Sequence, residues 1–200
     1  RGRIIRWMLE EIGEPYAAEV VDYGPAMKGP AYRAINPMDK VPALRHGDTV
    51  ITEAAAICAY LADAFPAASL APAPGSAARG AYYRWLFFGA GPLEQATVAR
   101  AFGWTVPEGR QGMVGFGSYA ETLDTLEAAV SAGDYLVDGA FSAADIYVGS
   151  HVGWGMHSGS LDKRPAFERY WQRLAARPAK LKADAIDNDL LKLHPVPGMG

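Results

Sequence analysis

The chain has 200 residues, half of them apolar, which is enough material for one large domain or two small ones with packed cores. Its 19 basic and 22 acidic residues give a net charge of -3 without a long run of one sign, so nucleic acid and a membrane surface are excluded as expected partners. A single cysteine, Cys58, rules out an internal disulfide, and no Cys/His cluster has zinc-site spacing. No apolar stretch approaches the ~20 residues of a membrane-spanning helix. We therefore expect a soluble, cytoplasmic protein without a metal.

The first part of the chain alternates between helical and extended patterns. Residues 3–12 are predicted to form a helix that Gly13 ends, because apolar residues recur on one face. Residues 17–21 predict a short buried strand. Residues 43–45 and 49–51 predict a β-hairpin around Gly47, which supplies the positive φ of a tight turn. Thr52 is then expected to cap a helix from Glu53 to about Ala64.

The second part of the chain is predicted to be helical throughout. Residues 65–76 are rich in proline and poor in charge, which is typical of a linker. The predicted organisation is therefore a first domain over residues 1–66, a linker over 67–76 and a helical domain over 77–200. Helices are expected over residues 77–101, 112–132, 143–154 and 165–176, with an interruption of the first of these at Gly89, Gly91 and Pro92.

Two local signals carry candidate chemistry. Pro42 stands immediately before a predicted strand, and taken alone it is an ordinary turn proline, since only ~5% of X-Pro bonds in folded proteins are cis. Glu53 stands at the first turn of a predicted helix, where it complements the helix dipole. The same position also suits recognition of a free α-amino acid end, with first-turn N–H groups holding its carboxylate and Glu53 its ammonium group.

Together these residues resemble the glutathione transferase family. Its first, thioredoxin-like domain has the pattern N-P-x-x-K-V-P-A-L, an acidic turn and A-I-x-x-Y-L, which stand here at residues 36–44, 52–54 and 56–61. The second domain of the family begins its central helix with a capping box, as Ser142 and Asp145 do here. The resemblance therefore spans essentially the whole chain, and it implies an α/β thioredoxin-like domain followed by an all-α domain.

The resemblance implies a glutathione site in the first domain. Pro42 would follow a cis peptide bond, and the Val41 backbone would pair with the cysteinyl part of glutathione like an added strand. Glu53 and the Ala54 N–H would hold the γ-glutamyl end. Many members have Ser where this chain has Ala54, so one hydrogen bond worth ~1 kcal/mol is expected to be missing. Lys40 would meet the glycyl carboxylate, with a solvated surface lysine as the alternative.

The catalytic group is not assigned within this chain. The family places a strand and a catalytic Ser, Tyr or Cys just before its first helix, so we expect both upstream of Arg1. Cys58 lies on an apolar helix and is expected to be buried and inert. The pocket for a hydrophobic co-substrate is predicted to involve aromatic side chains of the second domain, with core packing as the alternative for each: Tyr83, Phe88, Trp104 and Phe116.

The resemblance implies a bacterial-type homodimeric detoxification enzyme that conjugates the glutathione thiolate to a small hydrophobic electrophile. Two alternatives stay open. One is a non-catalytic member that binds glutathione, hydrophobic ligands or a protein partner. The other is a glutathione-dependent disulfide reductase or isomerase, which a Cys upstream of Arg1 would favour, whereas Ser or Tyr would favour transfer.

Overall fold

A computed structural model describes residues 1–194, and these form two compact units. One unit comprises Arg1–Ala68 together with the chain from Arg177, and the other comprises Ser69–Ala176. Within the described residues, no helix has both the length and the apolar character needed to cross a membrane. The elements are α1 (Gly2–Ile12), α2 (Pro25–Lys28), α3 (Pro30–Arg33), β1 (Ala43–His46), β2 (Thr49–Thr52), α4 (Ala54–Ala64), α5 (Ala77–Phe88), α6 (Glu94–Ala101), α7 (Tyr119–Ala132), α8 (Ala143–Ser158), α9 (Pro165–Ala175) and α10 (Pro178–Leu193).

The predicted hairpin and its flanking helices form the first unit. β1 and β2 pair antiparallel, with Ala43 opposite Thr52 and His46 opposite Thr49. Gly47 has a φ of 57° in the turn, which confirms the predicted need for glycine there. Helix α1 buries its apolar face and contacts α4 and α10. It ends at Gly13, whose N–H donates to the Leu9 carbonyl in a left-handed cap.

Two predictions about the first unit are wrong. Residues 17–21 form no strand, because they are mostly exposed and pair with no other strand among the described residues. Thr52 does not cap α4, since it is the last residue of β2 and pairs with Ala43. Glu53 is the residue at the N-cap position, and its side chain makes no capping bond.

The second unit is helical, as predicted, with different boundaries. The long helix expected over residues 77–101 is interrupted by a π-helical turn, Gly89–Leu93, which contains Pro92. Helix α7 begins at Tyr119 rather than near residue 112, because Ser118 caps it by accepting from the Glu121 N–H at 3.2 Å. Helix α8 is longer than expected and is buried on most sides, which identifies it as the central helix of this unit.

A buried carboxylate holds the start of α8. Asp145 accepts hydrogen bonds from the Ser142 N–H at 3.0 Å, the Leu136 N–H at 2.9 Å and the Tyr170 hydroxyl at 2.9 Å. The Ser142 hydroxyl donates to the same carboxylate at 3.1 Å. The predicted capping box is present, and the bond from the Ser142 N–H to the Asp145 side chain is one of its two bonds. Burial raises the pKa of Asp145, and the hydrogen bonds it accepts oppose that shift. The network joins α8 to α9 and to the loop before α8.

The last helix, α10, has no counterpart among the helices predicted from the sequence. It buries Ala183, and several charged side chains join it to α1. Arg6 Nε lies 2.7 Å from Asp187, and Lys182 Nζ lies 2.6 Å from Glu10. Thus α10 belongs to the first compact unit, although the sequence assigned it to the helical domain. The domain boundaries at 66 and 77 stay a proposal, and residues 195–200 lie outside the described chain.

Two glycines on different helices test the packing of α8. A methyl group at Gly155 would lie 2.6 Å from the Leu161 Cβ, whereas at Gly80 it would meet no described atom within 4 Å. We expect Gly155→Ala to lower the free energy of unfolding by about 1–3 kcal/mol, because the Leu161 Cβ moves only with its backbone. Gly80→Ala is expected to raise it by roughly 0.5–1 kcal/mol through helix propensity. Urea unfolding of both variants checks the opposite signs, and equal effects would contradict the packing argument.

Candidate functional site

The open end of the hairpin lies beside the first turn of α4. Ala43 and Thr52 form the last pair of the ladder. Pro42 precedes one of them and Glu53 follows the other, so the two residues lie next to the same end of the hairpin. The Val41–Pro42 peptide bond is cis. The structure therefore brings the predicted residues Val41, Pro42 and Glu53 together at one end of the hairpin.

The segment before Pro42 is fixed through one carbonyl group. The Lys40 carbonyl accepts hydrogen bonds from the Tyr32 hydroxyl at 2.9 Å and from the Asn36 side-chain N–H at 2.7 Å. Asn36 also accepts from the Met38 N–H at 3.0 Å, which closes the turn. Both Tyr32 and Asn36 are buried, so these bonds are shielded from water.

The backbone of Val41 is left available for a ligand. Within residues 1–194, neither its N–H nor its carbonyl takes part in a hydrogen bond. Backbone groups of this kind at the edge of a sheet recognise extended peptides by pairing with them. Val41 is half-buried, so a peptide lying here would lose part of its contact with water.

The N-terminus of α4 offers unpaired donors. Its first backbone bond runs from the Ile57 N–H to the Glu53 carbonyl at 2.9 Å, so the N–H of the buried Ala54 donates to no acceptor among residues 1–194. The positive end of the helix dipole adds to the attraction for an anion. Glu53 itself has φ 67° and ψ 117°, a sparsely populated conformation for a residue with a side chain.

The two charged candidates at this end are exposed. The Glu53 carboxylate and the Lys40 ammonium group each form no ion pair with another residue of the described chain. Together with the free backbone groups, they provide an anion, a cation, an edge strand and a helix N-terminus. This combination suits an extended peptide that carries a free α-amino acid end and a second carboxylate.

A separate apolar pocket lies within the second unit. It has a volume of about 380 Å³, and α6 and the segment before α7 form it. Trp104 and Phe116, two of the four predicted pocket residues, both line it. Its other lining residues are Glu94, Gln95, Val98, Ala99, Thr105, Val106 and Val114.

The other two aromatic candidates lie elsewhere on α5. Tyr83 is 41% exposed and packs against Arg79, whose guanidinium lies 4.9 Å from its ring centre. Phe88 makes an edge contact with Trp85 at 5.2 Å between ring centres. Neither lines the pocket that holds Trp104 and Phe116. The structure thus joins two of the four candidates and separates the others from them.

The single cysteine is unsuited to redox chemistry. Cys58 is fully buried in α4, and burial raises the pKa of its thiol to about 12. A thiol with this pKa forms almost no thiolate at neutral pH. The sequence prediction of a buried Cys58 is confirmed.

Sequence reasoning missed the two side chains that hold the Lys40 carbonyl. Asn36 stood within the pattern used for the resemblance, and an Asn before a Pro is a common turn residue, so a local signal for it existed. Tyr32 lies in the four-residue helix α3 and has no such signal. Only the fold brings its hydroxyl to the carbonyl eight residues further along the chain.

Comparison with known proteins gives a consistent result over both units. Residues 2–64 match the family model "Glutathione S-transferase, N-terminal domain", and residues 115–178 match "Glutathione S-transferase, C-terminal domain". Glutathione S-transferase 3 of Zea mays is 28% identical, and the match covers 80% of this chain and 77% of that protein.

Solved structures agree with these sequence matches. A sphingomonad glutathione S-transferase in complex with glutathione is 30% identical, with a TM-score of 0.76 over 93% of this chain and 94% of that one. A glutathione transferase from Methylococcus capsulatus is also 30% identical, with a TM-score of 0.77 over 93% of both chains. The predicted fold class is confirmed: a small thioredoxin-like N-terminal domain and a helical C-terminal domain.

Proposed function

The chain belongs to the glutathione transferase superfamily, and from this premise we propose that it binds glutathione and conjugates its thiolate to a small hydrophobic electrophile. The observation that carries the proposal is the open end of the hairpin. The Val41 backbone groups, the Ala54 N–H and the Glu53 carboxylate lie there, and none of them has a bonding partner among residues 1–194. Each has a complementary group on an extended γ-glutamyl tripeptide.

In the proposed complex, glutathione extends the hairpin edge as an additional strand. The Val41 backbone pairs with the cysteinyl residue, Glu53 binds the γ-glutamyl ammonium group, and the Ala54 N–H binds the adjacent carboxylate. Lys40 meets the glycyl carboxylate. Only the γ-glutamyl end carries an ammonium group, so Glu53 at one end and Lys40 at the other fix the direction of the ligand along the strand, which leaves the cysteinyl sulfur at a defined position.

In the proposed reaction, the thiol of bound glutathione loses its proton to solvent water. The thiolate sulfur then bonds to the electrophilic carbon, and the leaving group departs with its electron pair. The pocket lined by Trp104 and Phe116 is the proposed site for the electrophile, because aromatic and aliphatic walls bind apolar molecules and exclude water. We further propose a cytoplasmic homodimer, on the ground of membership of the family alone.

Calorimetric titration of glutathione tests the first part, and turnover of an activated aryl halide with glutathione tests the second. We expect binding and a glutathione-dependent rate that saturates in both substrates. Binding without turnover of any electrophile in a broad panel would favour the non-catalytic alternative. The alanine at position 54, where many members have serine, is consistent with that alternative. Absence of binding would overturn the proposal.

The electrophile pocket makes a separate kinetic prediction. Trp104→Leu is expected to raise the KM for an aromatic electrophile roughly 10-fold through lost stacking and lost apolar contact. The KM for glutathione should stay within about two-fold, because Trp104 is assigned no part in the hairpin site. Phe102→Leu is the matched control, since Phe102 is similarly exposed and packs on Trp104 but does not line the pocket. Equal effects of the two changes would contradict the assignment.

A further inference from the structure

The hydrogen bonds on the Lys40 carbonyl bear on the ligand-binding backbone next to it. A peptide unit is planar and rigid, so the Lys40 carbonyl and the Val41 N–H belong to one body and point in opposite directions. Fixing the carbonyl therefore fixes the direction of the N–H. Two donors from different parts of the chain bind this carbonyl, the Tyr32 hydroxyl at 2.9 Å and the Asn36 amide at 2.7 Å.

These two donors complete the bonding capacity of the carbonyl. A carbonyl oxygen has two lone pairs, and Tyr32 and Asn36 use both of them. Asn36 is 3% exposed and Tyr32 is 8% exposed, so water does not readily replace either bond. Burial also raises the pKa of the Tyr32 phenol, which keeps it protonated and able to donate at physiological pH.

The opposite edge of the same peptide, which carries the Val41 N–H, has no partner among residues 1–194. The Val41 N–H forms no hydrogen bond within the described chain, although the carbonyl across the same peptide plane forms two. A free donor held in one direction before the ligand arrives is preorganised for binding, which reduces the ordering cost of association.

From this arrangement we propose that Tyr32 and Asn36 are positioning residues for glutathione, which aim the Val41 N–H at the cysteinyl carbonyl of the ligand by holding the Lys40 carbonyl from behind. The inference rests on the proposed glutathione site. Neither side chain touches the ligand. Their contribution is the orientation of one peptide plane, so their loss weakens the ligand contact made by Val41 and leaves the contacts made by Glu53 unchanged.

The first test compares Tyr32→Phe with Tyr16→Phe. Each change removes one hydrogen-bonded tyrosine hydroxyl from the first unit. The Tyr16 hydroxyl, however, forms hydrogen bonds with Glu10 and Arg6 rather than with the Lys40 carbonyl. Tyr32→Phe is expected to raise both the Kd and the KM for glutathione roughly 5- to 10-fold, with kcat within two-fold. Tyr16→Phe should leave both constants within two-fold. Asn36→Ala provides a second variant in case Tyr32→Phe folds poorly.

A double-mutant-type cycle, which combines a protein variant with an altered ligand, distinguishes lost orientation of the Val41 N–H from a general loss of structure. The probe is S-methylglutathione in which sulfur replaces the cysteinyl carbonyl oxygen, because sulfur is a weaker hydrogen-bond acceptor. Wild-type protein should bind this probe several-fold more weakly than S-methylglutathione itself. In Tyr32→Phe or Asn36→Ala the difference should shrink to about two-fold or less, since the Val41 N–H no longer meets the acceptor in good geometry.

The outcomes distinguish the two proposals. Two results would overturn the positioning role while leaving the glutathione site intact. One is an unchanged Kd for glutathione in both variants. The other is that both variants bind the sulfur probe more weakly than S-methylglutathione by the same factor as the wild-type protein. Failure of the wild-type protein to bind glutathione would overturn the site and the positioning role together. The inference is supported if the variants bind glutathione more weakly and also discriminate less between S-methylglutathione and the sulfur probe.

Discussion

Replacing Glu53 with alanine is expected to weaken glutathione binding about 10- to 150-fold, the loss of a charge-assisted contact worth roughly 1.5–3 kcal/mol. The carboxylate is exposed and forms no ion pair with a residue of the described chain, so it can pair with the ammonium group of a ligand. Glu53→Gln keeps the side-chain size but removes the charge, and an intermediate loss is expected. Isothermal titration with glutathione measures both variants.

Two controls isolate the role of this charge. Asp48→Asn removes an acidic side chain at the turn end of the same hairpin, and glutathione affinity should change less than about two-fold because the sites lie roughly 13 Å apart along the strands. A glutathione analogue without the α-amino group should bind wild-type protein weakly and should bind Glu53→Ala no worse than glutathione does. If Glu53→Ala binds glutathione as tightly as wild type, the assignment of Glu53 fails.

Replacing Asp145 with alanine is expected to lower the free energy of unfolding by about 3–5 kcal/mol, because several buried donors lose their acceptor at once. The Leu136 N–H, the Ser142 N–H and the Tyr170 hydroxyl all donate to this carboxylate. Asp145 is fully buried, so water does not replace it in the intact fold. Chemical denaturation followed by circular dichroism measures the loss.

Smaller changes keep this prediction testable if Asp145→Ala does not fold. Tyr170→Phe removes one donor and leaves the carboxylate its other partners, so a loss of about 1–1.5 kcal/mol is expected. Asp124→Ala is the matched surface control, because Asp124 is exposed and its ion pair within residues 1–194 is with Arg164 at 2.7 Å. Such an exposed pair contributes about 0–1 kcal/mol. A loss from Asp145→Ala no larger than that from Asp124→Ala would contradict the structural role of the buried network.

Prediction from sequence succeeded where the controlling interactions are local. The hairpin followed from a glycine turn between two short β-prone runs, and the capping box followed from Ser142 and Asp145 three positions apart. Both depend on contacts between residues close in the chain, which leave a pattern that can be read without a fold. The glutathione-site candidates came from a resemblance, and the hairpin register explains how Val41 and Glu53 come to lie together.

Prediction failed where a distant partner decides the outcome. Residues 17–21 have a β-prone composition, but a strand exists only when another strand pairs with it, and composition contains no information on that partner. Helix α10 was missed because Ala183 is the one residue that it buries fully within the described chain, and ion pairs such as Arg6 with Asp187 join it to α1. A charged contact between distant segments leaves no hydropathy period.

The sequence by itself therefore determined the family, the fold class, the hairpin and the chemical character of its open end, because each is encoded in neighbouring residues. Only the tertiary structure decided which aromatic side chains share a pocket, bringing Trp104 and Phe116 together and leaving Tyr83 and Phe88 outside it. It also brought the Tyr32 hydroxyl to the Lys40 carbonyl. The physical reason is the same in both cases: direction and distance between side chains depend on the packing of whole elements, which a linear pattern does not contain.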